Sequence, residues 1–450
     1  MNFFTQPACY GVIDCNNFFV SCERLFRPDL LQKPVMVLSS NDGCVVARSN
    51  EVRALGVKMG QPVFELKDLI RLHQITIFSA NFSLYQNLSA RVLQLIKAVC
   101  PQTEPYSIDE AFVELSTIPK IEREPLMQQL RLQIYQATQI PVSIGLAPTK
   151  TLAKLANELV KSVDRRESAI ALNWPVIPQA GVLNLSQTSD LSFYLQTTPI
   201  EKIWGIGGRT APKLTRLGIN TAQDFIKTPL NQIQQLLKTP GSQIWHELNG
   251  IPKLTLSHHG PETQSLMVSR SFGQPITDFH NLQVAVGNFA EAIALKLRRQ
   301  AQQTSSLTVS IFWKTRPGER YKPNTSANIT LDQPSQLTSV IMTAAMTALK
   351  QAWLPDFPAI KAGINAFNLS PVSRQAQALF LDDQTHAQLE HQAKTWIQVD
   401  QLNQKFGQVI IKTGRCLTGK NHSTWQSKHQ HRSPDYLTAW SDLAPVRCVT

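Results

Sequence analysis

Short apolar runs alternate with amphipathic segments along residues 10–174. The runs Gly11–Cys15, Pro34–Leu38 and Val142–Leu146 are typical of short buried strands. The segment Ser83–Val99 repeats its apolar residues with the spacing of one helix face, which predicts an amphipathic helix. Strands and helices mixed in this way predict an α+β domain.

The pattern changes twice further along the chain. Residues 175–250 have a mostly helical pattern that Pro and Gly interrupt. Residues 262–368 combine an apolar helical stripe with the alternating segment Leu307–Lys314, and so predict a second α+β domain. The last residues, 369–450, are weakly periodic, basic and rich in Gln and His, which is typical of a partly disordered tail.

Composition narrows the class of protein. A length of 450 residues suggests about three domains at ~150 residues each. The chain has no apolar run of membrane-spanning length and no secretory signal pattern. Its seven cysteines form no Cys-x-x-Cys pair, which argues against a disulfide framework or zinc module and indicates a cytoplasmic protein. The net charge of +12 favours nucleic acid as partner, ahead of a membrane surface.

Three acids are embedded in apolar segments. Asp14 ends the first strand, and Asp109 and Glu110 lie within Tyr106–Val113. Burying a carboxylate is costly unless a cation compensates it, and two Mg²⁺ ions would do so while positioning a phosphoryl displacement. Adjacent strand residues point to opposite faces, so Asp109 and Glu110 share a site only if the strand ends there. The alternative is that Asp14 caps a helix and that the other two acids form a solvated turn.

Basic residues supply a second signal. At about 100° per residue, Lys150, Lys154 and Lys161 fall on one helix face, opposite a leucine stripe. They are either an ordinary solvated face or contacts to a triphosphate or the DNA backbone. Arg53, on a short helix after an earlier strand, is a further candidate for phosphate contact because Arg binds phosphate in a bidentate manner.

The segment Gly205–Gly207 lies between short helical segments and fits a helix–hairpin–helix. Glycines allow the backbone to approach closely, so its N–H groups can hold a phosphate without reading sequence. A plain helix–helix turn is the alternative. The candidate DNA-binding residues here and in the next domain are Gly205, Gly207, Arg209, Lys213, Arg270 and Lys314.

Five motifs in this order resemble those of the Y-family (lesion-bypass) DNA polymerases. They are Asp14–Glu23, Asn41–Arg48, Tyr106–Phe112, Gly145–Asn157 and Trp204–Gly207. Within that family, Phe26–Leu30 and Ser269–Gly273 are similar to the UmuC branch. The resemblance extends over residues 10–368.

The resemblance implies an α+β multidomain protein with the right-hand polymerase fold and a separate α+β little-finger domain. The implied domains are a palm (10–21 and 79–174), fingers (22–78), a helical thumb with a helix–hairpin–helix (175–250), a little finger (262–368) and a basic C-terminal tail (369–450).

The resemblance also implies roles for single residues. Asp14, Asp109 and Glu110 match the catalytic, metal-binding acids, and the Cys15 carbonyl would also face one of two Mg²⁺ ions. Phe19 matches the steric gate that excludes ribonucleotides. The triphosphate-binding positions are Arg53 and Lys161. Asn50 departs from the pattern, because many members carry Tyr there to hold the triphosphate, although other relatives of UmuC also lack it.

Residues 375–381 lie where such proteins carry a sliding-clamp peptide. The candidate clamp-binding residues are Gln377, Leu379, Phe380 and Leu381. A second register pairs Gln375 with Leu379 and Phe380, and a partly buried linker is the alternative. The tail resembles the region that binds a processed UmuD-type dimer, and the UmuC branch also implies a RecA-type recombinase filament as partner.

We therefore expect an error-prone translesion DNA-directed DNA polymerase of SOS mutagenesis that uses primer–template DNA, deoxynucleoside triphosphates and two Mg²⁺ ions. Fidelity should be low because the implied fingers are small. The alternatives are a DNA polymerase IV-like enzyme that acts alone, a non-catalytic DNA-binding factor, and another two-metal nucleotidyl enzyme such as a cyclase.

Overall fold

A computed structural model describes residues 8–164, 181–186, 191–257, 263–315, 324–372, 383–406, 410–416, 427–434 and 436–437. The chain divides into two compact units. The first contains residues 1–39, 43–260 and 431–450, and the second contains residues 40–42 and 261–430. No helix among the described residues is both long and apolar enough to cross a lipid bilayer.

The first unit mixes strands and helices, as its apolar pattern predicts. Its strands are β1 Tyr10–Cys15, β2 Val35–Leu38, β3 Val45–Arg48, β4 Thr76–Ser79, β5 Thr103–Pro105, β6 Glu110–Glu114, β7 Val142–Ala147 and β8 Val182–Asn184. Its helices are α1 Phe18–Phe26, α2 Asn50–Ala54, α3 Lys67–Leu72, α4 Phe82–Val99, α5 Lys120–Thr138, α6 Lys150–Asp164, α7 Leu191–Thr197, α8 Ala211–Thr215, α9 Ala222–Lys227 and α10 Leu230–Leu248.

The central sheet of this unit has the strand order β5-β6-β1-β7-β8. Strand β1 is antiparallel to both β6 and β7, and β8 runs parallel to β7. Ile13 and Ile144 pack on one face against α4 and α5, whereas Val12 and Phe112 pack on the other face against α6. Both faces are therefore buried, which explains why these strands are continuous apolar runs rather than alternating ones.

Helix α6 lies directly on strand β7. A Cβ atom at Gly145 would lie 2.3 Å from the Ala153 carbonyl oxygen and 2.4 Å from the Asn157 nitrogen. The Asn157 side-chain amide donates to the Ser143 carbonyl across the same contact, at 2.7 Å. The leucine stripe of α6 is buried, as predicted. The missing side chain at Gly145 thus sets the distance between the helix and the sheet.

A three-stranded sheet, β3-β2-β4, forms beside the first. Strands β2 and β3 pair antiparallel, with Val37 opposite Ala47. The Asp42-Gly43 pair lies between these two apolar strands, where an Asp-Gly pair favours a hairpin. Helices α7 to α10 add residues that include Leu214, Phe225 and Ile233 to the same core that lies between the central sheet and α6.

The second unit is a four-stranded antiparallel sheet covered by helices. Its elements are β9 Ser265–Ile276, α11 Phe279–Arg299, β10 Gln302–Trp313, β11 Asn324–Ser335, α12 Thr338–Ala352, β12 Ala359–Pro371 and α13 Asp383–Lys405, with the strand order β11-β10-β12-β9. The predicted stripe of Phe289, Ile293 and Leu297 is buried on α11. In α13, Asp400 forms a bidentate ion pair with Arg298, with the shorter distance at 2.6 Å.

The packing at Gly145 leads to a first prediction. Gly145→Ala should lower the free energy of unfolding by about 1–3 kcal/mol, because the new methyl group meets backbone atoms that cannot turn aside. Gly43→Ala is the matched control, since its Cβ would meet no atom closer than 3.8 Å. Urea titrations of both variants measure the difference. Equal midpoints for the two variants would contradict this account of the helix–sheet contact.

Candidate active site

Two neighbouring strands bring a pair of acids together. Asp14 of β1 lies opposite Glu110 of β6 in the antiparallel register. Their side chains are hydrogen-bonded to each other, and they expose 6% and 18% of their surface. Asp14 lies inside the strand, and α1 begins only at Phe18, with Asn17 as its capping residue. The alternative that Asp14 caps this helix is therefore wrong.

Asp109 precedes the strand rather than lying within it. The backbone bends at residues 107–109, and β6 begins at Glu110, so the alternation of a strand does not separate the two neighbouring acids. The Asp109 carbonyl accepts a hydrogen bond from the Cys15 N–H at 2.9 Å, which ties its backbone to β1. Its carboxylate accepts from the Ser107 hydroxyl at 2.5 Å.

The donor atoms of this site suit a hard cation. Carboxylate and carbonyl oxygens are the ligands that Mg²⁺ prefers. Within the described ranges, however, no three His, Cys, Asp or Glu side chains are grouped as a metal site. The structure joins the carboxyls of Asp14 and Glu110 directly, whereas Asp109 is anchored beside them through its backbone.

Lysines of α6 provide the counter-charges. Lys161 forms an ion pair with Asp14, and Lys154 forms one with Glu110 at 2.6 Å. Lys150 contacts Glu104 at 2.5 Å and is itself 4% exposed. The three lysines share one helix face, as their spacing predicts. That face is turned toward acids of the sheet, so the interpretation as an ordinary solvated face is wrong.

Burial and the hydrogen bond between Asp14 and Glu110 shift the pKa values of these two acids in opposite directions. Burial, together with the neighbouring Glu110, raises the pKa of Asp14 well above its usual range, although Lys161 opposes this. For Glu110, burial acts to raise the pKa, but the hydrogen bond from Asp14 and the ion pair with Lys154 outweigh it and lower the pKa.

Aromatic rings surround the Lys154 ammonium group. Its Nζ atom lies 4.9 Å from the ring centre of Tyr106, 5.8 Å from that of Phe112 and 5.9 Å from that of Trp204. The Trp204 indole donates to the Tyr106 hydroxyl at 3.3 Å. Ring faces attract a cation, so the cage restrains Lys154 next to Glu110. Sequence reasoning missed this cage, although Tyr106 and Trp204 begin two of the five motifs.

A buried acid anchors the start of α6. Glu247 of α10 accepts from the backbone N–H of Thr151 at 3.0 Å and from that of Lys253 at 2.7 Å. A carboxylate is stabilised at a helix N-terminus by the free N–H groups there. Sequence reasoning did not identify Glu247, because no local pattern distinguishes it from an exposed helical Glu.

Phe19 lies on the first helix, close to the acids in sequence. Its half-buried ring stacks on Tyr85 at 4.4 Å between ring centres, and Phe82 meets it edge-on at 5.9 Å. Arg53 is half-buried on α2, the short helix whose first turn Ser49 caps. The side chain of Asn50 accepts from Asn17 at 3.1 Å, so Asn50 borders the beginning of α1.

The segment Gly205–Gly207, which we call the glycine hairpin, has a left-handed backbone conformation at its first residue. Gly205 has φ +91, and a Cβ there would lie 2.9 Å from the Ile244 side chain. Gly207 has open space around it, and Arg209 and Lys213 are exposed. A short helix, α8, follows at Ala211.

The remaining candidates are placed as follows. In the second unit, Arg270 is exposed on β9, and Lys314 is exposed just after β10. The proposed clamp peptide, with Gln375, Gln377, Leu379, Phe380 and Leu381, lies outside the described residues.

Comparisons with known proteins agree on one family. The model of the impB/mucB/samB family matches residues 13–158, and the model of its C-terminal domain matches residues 263–379. The HHH motif of the IMS family matches residues 189–219, around the glycine hairpin. A domain of unknown function matches residues 398–446.

Individual relatives cover nearly the whole chain. Protein ImpB of Salmonella typhimurium is 35% identical over 97% of this chain and 99% of its own length. Protein UmuC of the same organism is 34% identical over 97% of this chain and 100% of its own length. A solved Y-family DNA polymerase chimera of Dbh and Dpo4 has a TM-score of 0.63 at 18% identity and covers 81% of this chain and 100% of its own chain, which shows the shared fold.

The ion pair of Lys154 with Glu110 leads to a second prediction. In metal-free buffer, Lys154→Met should cost about 1–3 kcal/mol of unfolding free energy, because it leaves a largely buried carboxylate without its partner. Glu110→Gln added to Lys154→Met should recover part of that loss.

A double-mutant cycle by urea unfolding measures this coupling. The matched control is the exposed pair Arg71–Asp68, for which the coupling should be near zero. Losses that simply add in the Lys154 and Glu110 cycle would show that the two side chains do not act as a unit.

Proposed function

The chain belongs to the impB/mucB/samB family, within the Y-family DNA polymerases, and we propose that Asp14, Asp109 and Glu110 form its nucleotidyl-transfer site. It is an error-prone translesion DNA polymerase of SOS mutagenesis with the α+β right-hand fold, and it depends on divalent metal. Support for the site comes from one observation: Asp14 and Glu110 face each other on paired strands and are matched by two lysines.

The reaction joins a primer to a deoxynucleotide. The primer 3′-oxygen forms a bond to the α-phosphorus, the bond from that phosphorus to the bridging oxygen breaks, and pyrophosphate leaves. Two Mg²⁺ ions, when bound, would lower the pKa of the primer hydroxyl and neutralise the charge on the leaving group. The carboxylates of Asp14, Asp109 and Glu110 and the Cys15 carbonyl would hold them.

Two basic residues would bind the triphosphate. Lys161 reaches the acidic pair from α6, and Arg53 extends from α2. Each would neutralise phosphate oxygens, and the Arg guanidinium can make two parallel hydrogen bonds. Asn50 stands where many Y-family members carry Tyr, so these two cations would have to bind the triphosphate without the contact that this Tyr makes.

We assign the domains by the same resemblance to the Y-family polymerases. The palm would comprise residues 10–21 and 79–174, the fingers 22–78, the thumb 175–250, the little finger 262–368 and the C-terminal tail 369–450. Backbone N–H groups at Gly205 and Gly207 would bind a DNA phosphate, and the cations that would contact the backbone of the duplex are Arg209, Lys213, Arg270 and Lys314.

The tail would recruit partners. Gln377, Leu379, Phe380 and Leu381 would bind a sliding clamp, and the region beyond them a processed UmuD-type dimer. Activity on damaged templates would further require a RecA-type recombinase filament. Primer extension on an abasic template, with each component omitted in turn, tests these assignments.

The acidic site leads to a third prediction. Asp109→Ala and Asp14→Asn should each reduce primer extension by about 100-fold or more, because each removes a carboxylate that would hold the Mg²⁺ ions, and those ions stabilise the charge of the transition state. Asp68→Asn is the control, since Asp68 is exposed on α3. Extension with Mg²⁺ and with excess chelator is measured for all three variants and for the unmodified chain, after circular dichroism has verified folding. Wild-type rates for Asp109→Ala would refute the site.

Phe19 leads to a fourth prediction. Phe19→Ala should lower the preference for deoxynucleotides over ribonucleotides at least about tenfold, a difference of ~1.4 kcal/mol. The smaller side chain would leave room for the ribose 2′-OH. The ratio of kcat/KM for the two nucleotides measures this preference, with Phe64→Ala, an exposed ring, as control. An unchanged ratio in Phe19→Ala would remove the steric-gate role.

A further inference from the structure

The end of the described chain packs against the first unit, to which it belongs. The Ser79 N–H donates to the His431 carbonyl, and the His431 N–H donates to the Ser79 hydroxyl, both at 3.0 Å. Further along, the Tyr436 ring stacks on Phe26 at 4.3 Å. These contacts fasten residues 431–434 and 436–437, which we call the C-terminal strap, to β4 and α1.

Asn81 connects the strap to helix α4. Its side-chain oxygen accepts from the Leu84 N–H at 3.4 Å and so caps the first turn of the helix. Its side-chain NH₂ group donates to both the carbonyl and the hydroxyl of Ser433, each at 3.1 Å. Asn81 is fully buried and Ser433 is 7% exposed, so these bonds form away from solvent.

The Ser433 hydroxyl links Asn81 to Glu23. It accepts from Asn81 and donates to Glu23 Oε1 at 3.1 Å, so its single proton is fully used. The same Glu23 oxygen accepts from the Tyr85 hydroxyl at 2.6 Å. Burial raises the pKa of Glu23, which is 1% exposed. A buried acid with two donors on one oxygen is a costly arrangement to disturb.

The last contact in this series joins Tyr85 to Phe19, the candidate steric gate. Its ring is fully buried and stacks on Phe19, with an angle of 14° between the ring planes. A displacement of the Phe19 ring toward Tyr85 therefore requires Tyr85 to move as well. Tyr85 is restrained by its hydroxyl bond to Glu23, and Glu23 is restrained in turn by Ser433.

We propose that Ser433 and Glu23 are positioning residues for sugar selection, through which the C-terminal strap stiffens the ring of Phe19. The inference rests on the proposed steric-gate role of Phe19. A side chain excludes the 2′-OH sterically only if its position is rigid. A displacement of a fraction of an ångström weakens the discrimination between deoxynucleotides and ribonucleotides. The strap supplies that stiffness from the far end of the chain, 410 positions from Glu23.

The test measures kcat and KM for one deoxynucleotide and its ribonucleotide with the full-length chain and its activating partners. Ser433→Ala and Glu23→Ala should each lower the deoxy-to-ribo preference by at least about two- to tenfold, the range for one lost hydrogen bond, because each variant breaks the bond between Ser433 and Glu23. Most of the change should be a lower KM for the ribonucleotide, with kcat for the deoxynucleotide nearly unchanged. Glu23→Gln keeps an acceptor oxygen for both hydroxyls and should retain most of the preference.

Two further variants keep the result interpretable. Tyr85→Phe retains the stacked ring but loses the bond to Glu23, so it should also lower the preference, even if Ser433→Ala fails to fold. Thr198→Ala is the matched control, because the Thr198 hydroxyl is likewise buried and hydrogen-bonded, but in the segment after α7. It should leave the preference unchanged.

The outcomes separate this inference from the proposal on which it depends. If Phe19→Ala leaves the preference unchanged, the steric-gate role itself fails. If Phe19→Ala lowers it while Ser433→Ala, Glu23→Ala and Tyr85→Phe do not, the positioning role of the strap is overturned. An equal loss in Thr198→Ala would also overturn it, since the effect would then be general loosening of the fold.

Discussion

The antiparallel register of β1 and β6 is the constraint on which the site depends. It sets Asp14 opposite Glu110 inside a sheet that is covered on both faces. Two acids so placed would repel each other if both were charged, and the structure answers with a shared hydrogen bond and with Lys161 and Lys154 from the covering helix. The same carboxylate oxygens are of the kind that a hard divalent cation prefers as ligands.

The position of those lysines follows from close packing rather than from charge. Helix α6 can approach β7 only because Gly145 has no side chain, and Glu247 fixes the start of that helix. The aromatic cage then joins Lys154 to Trp204, the residue that precedes the glycine hairpin. The hairpin segment belongs to the family's HHH motif. The same aromatic cage therefore contacts both the lysine beside the acidic pair and the segment proposed to contact DNA.

The C-terminal region makes specific tertiary contacts although its sequence has little hydrophobic periodicity. Its low periodicity suggests partial disorder, yet Ser433 makes buried hydrogen bonds with Asn81 and Glu23, and Asp400 of α13 forms an ion pair with Arg298. A strap of this kind needs only a few well-placed polar side chains and one ring, Tyr436, rather than an apolar face of its own. Hydrophobic periodicity does not report such contacts, because each is a single pairing with a distant part of the chain.

The sequence by itself determined the strands with two buried faces, the α6 leucine stripe with its opposing lysines, the α+β class and the family. Each of these depends on neighbouring residues or on ordered motifs, which one chain displays directly. Tertiary structure decided which lysine meets which acid, that Asp109 bonds to Ser107 while Asp14 bonds to Glu110, and that Ser433 reaches Glu23. These pairings depend on strand register, on the distance between helix and sheet and on the path of the chain end. Local spacing contains none of those quantities, because they arise only when distant segments pack together.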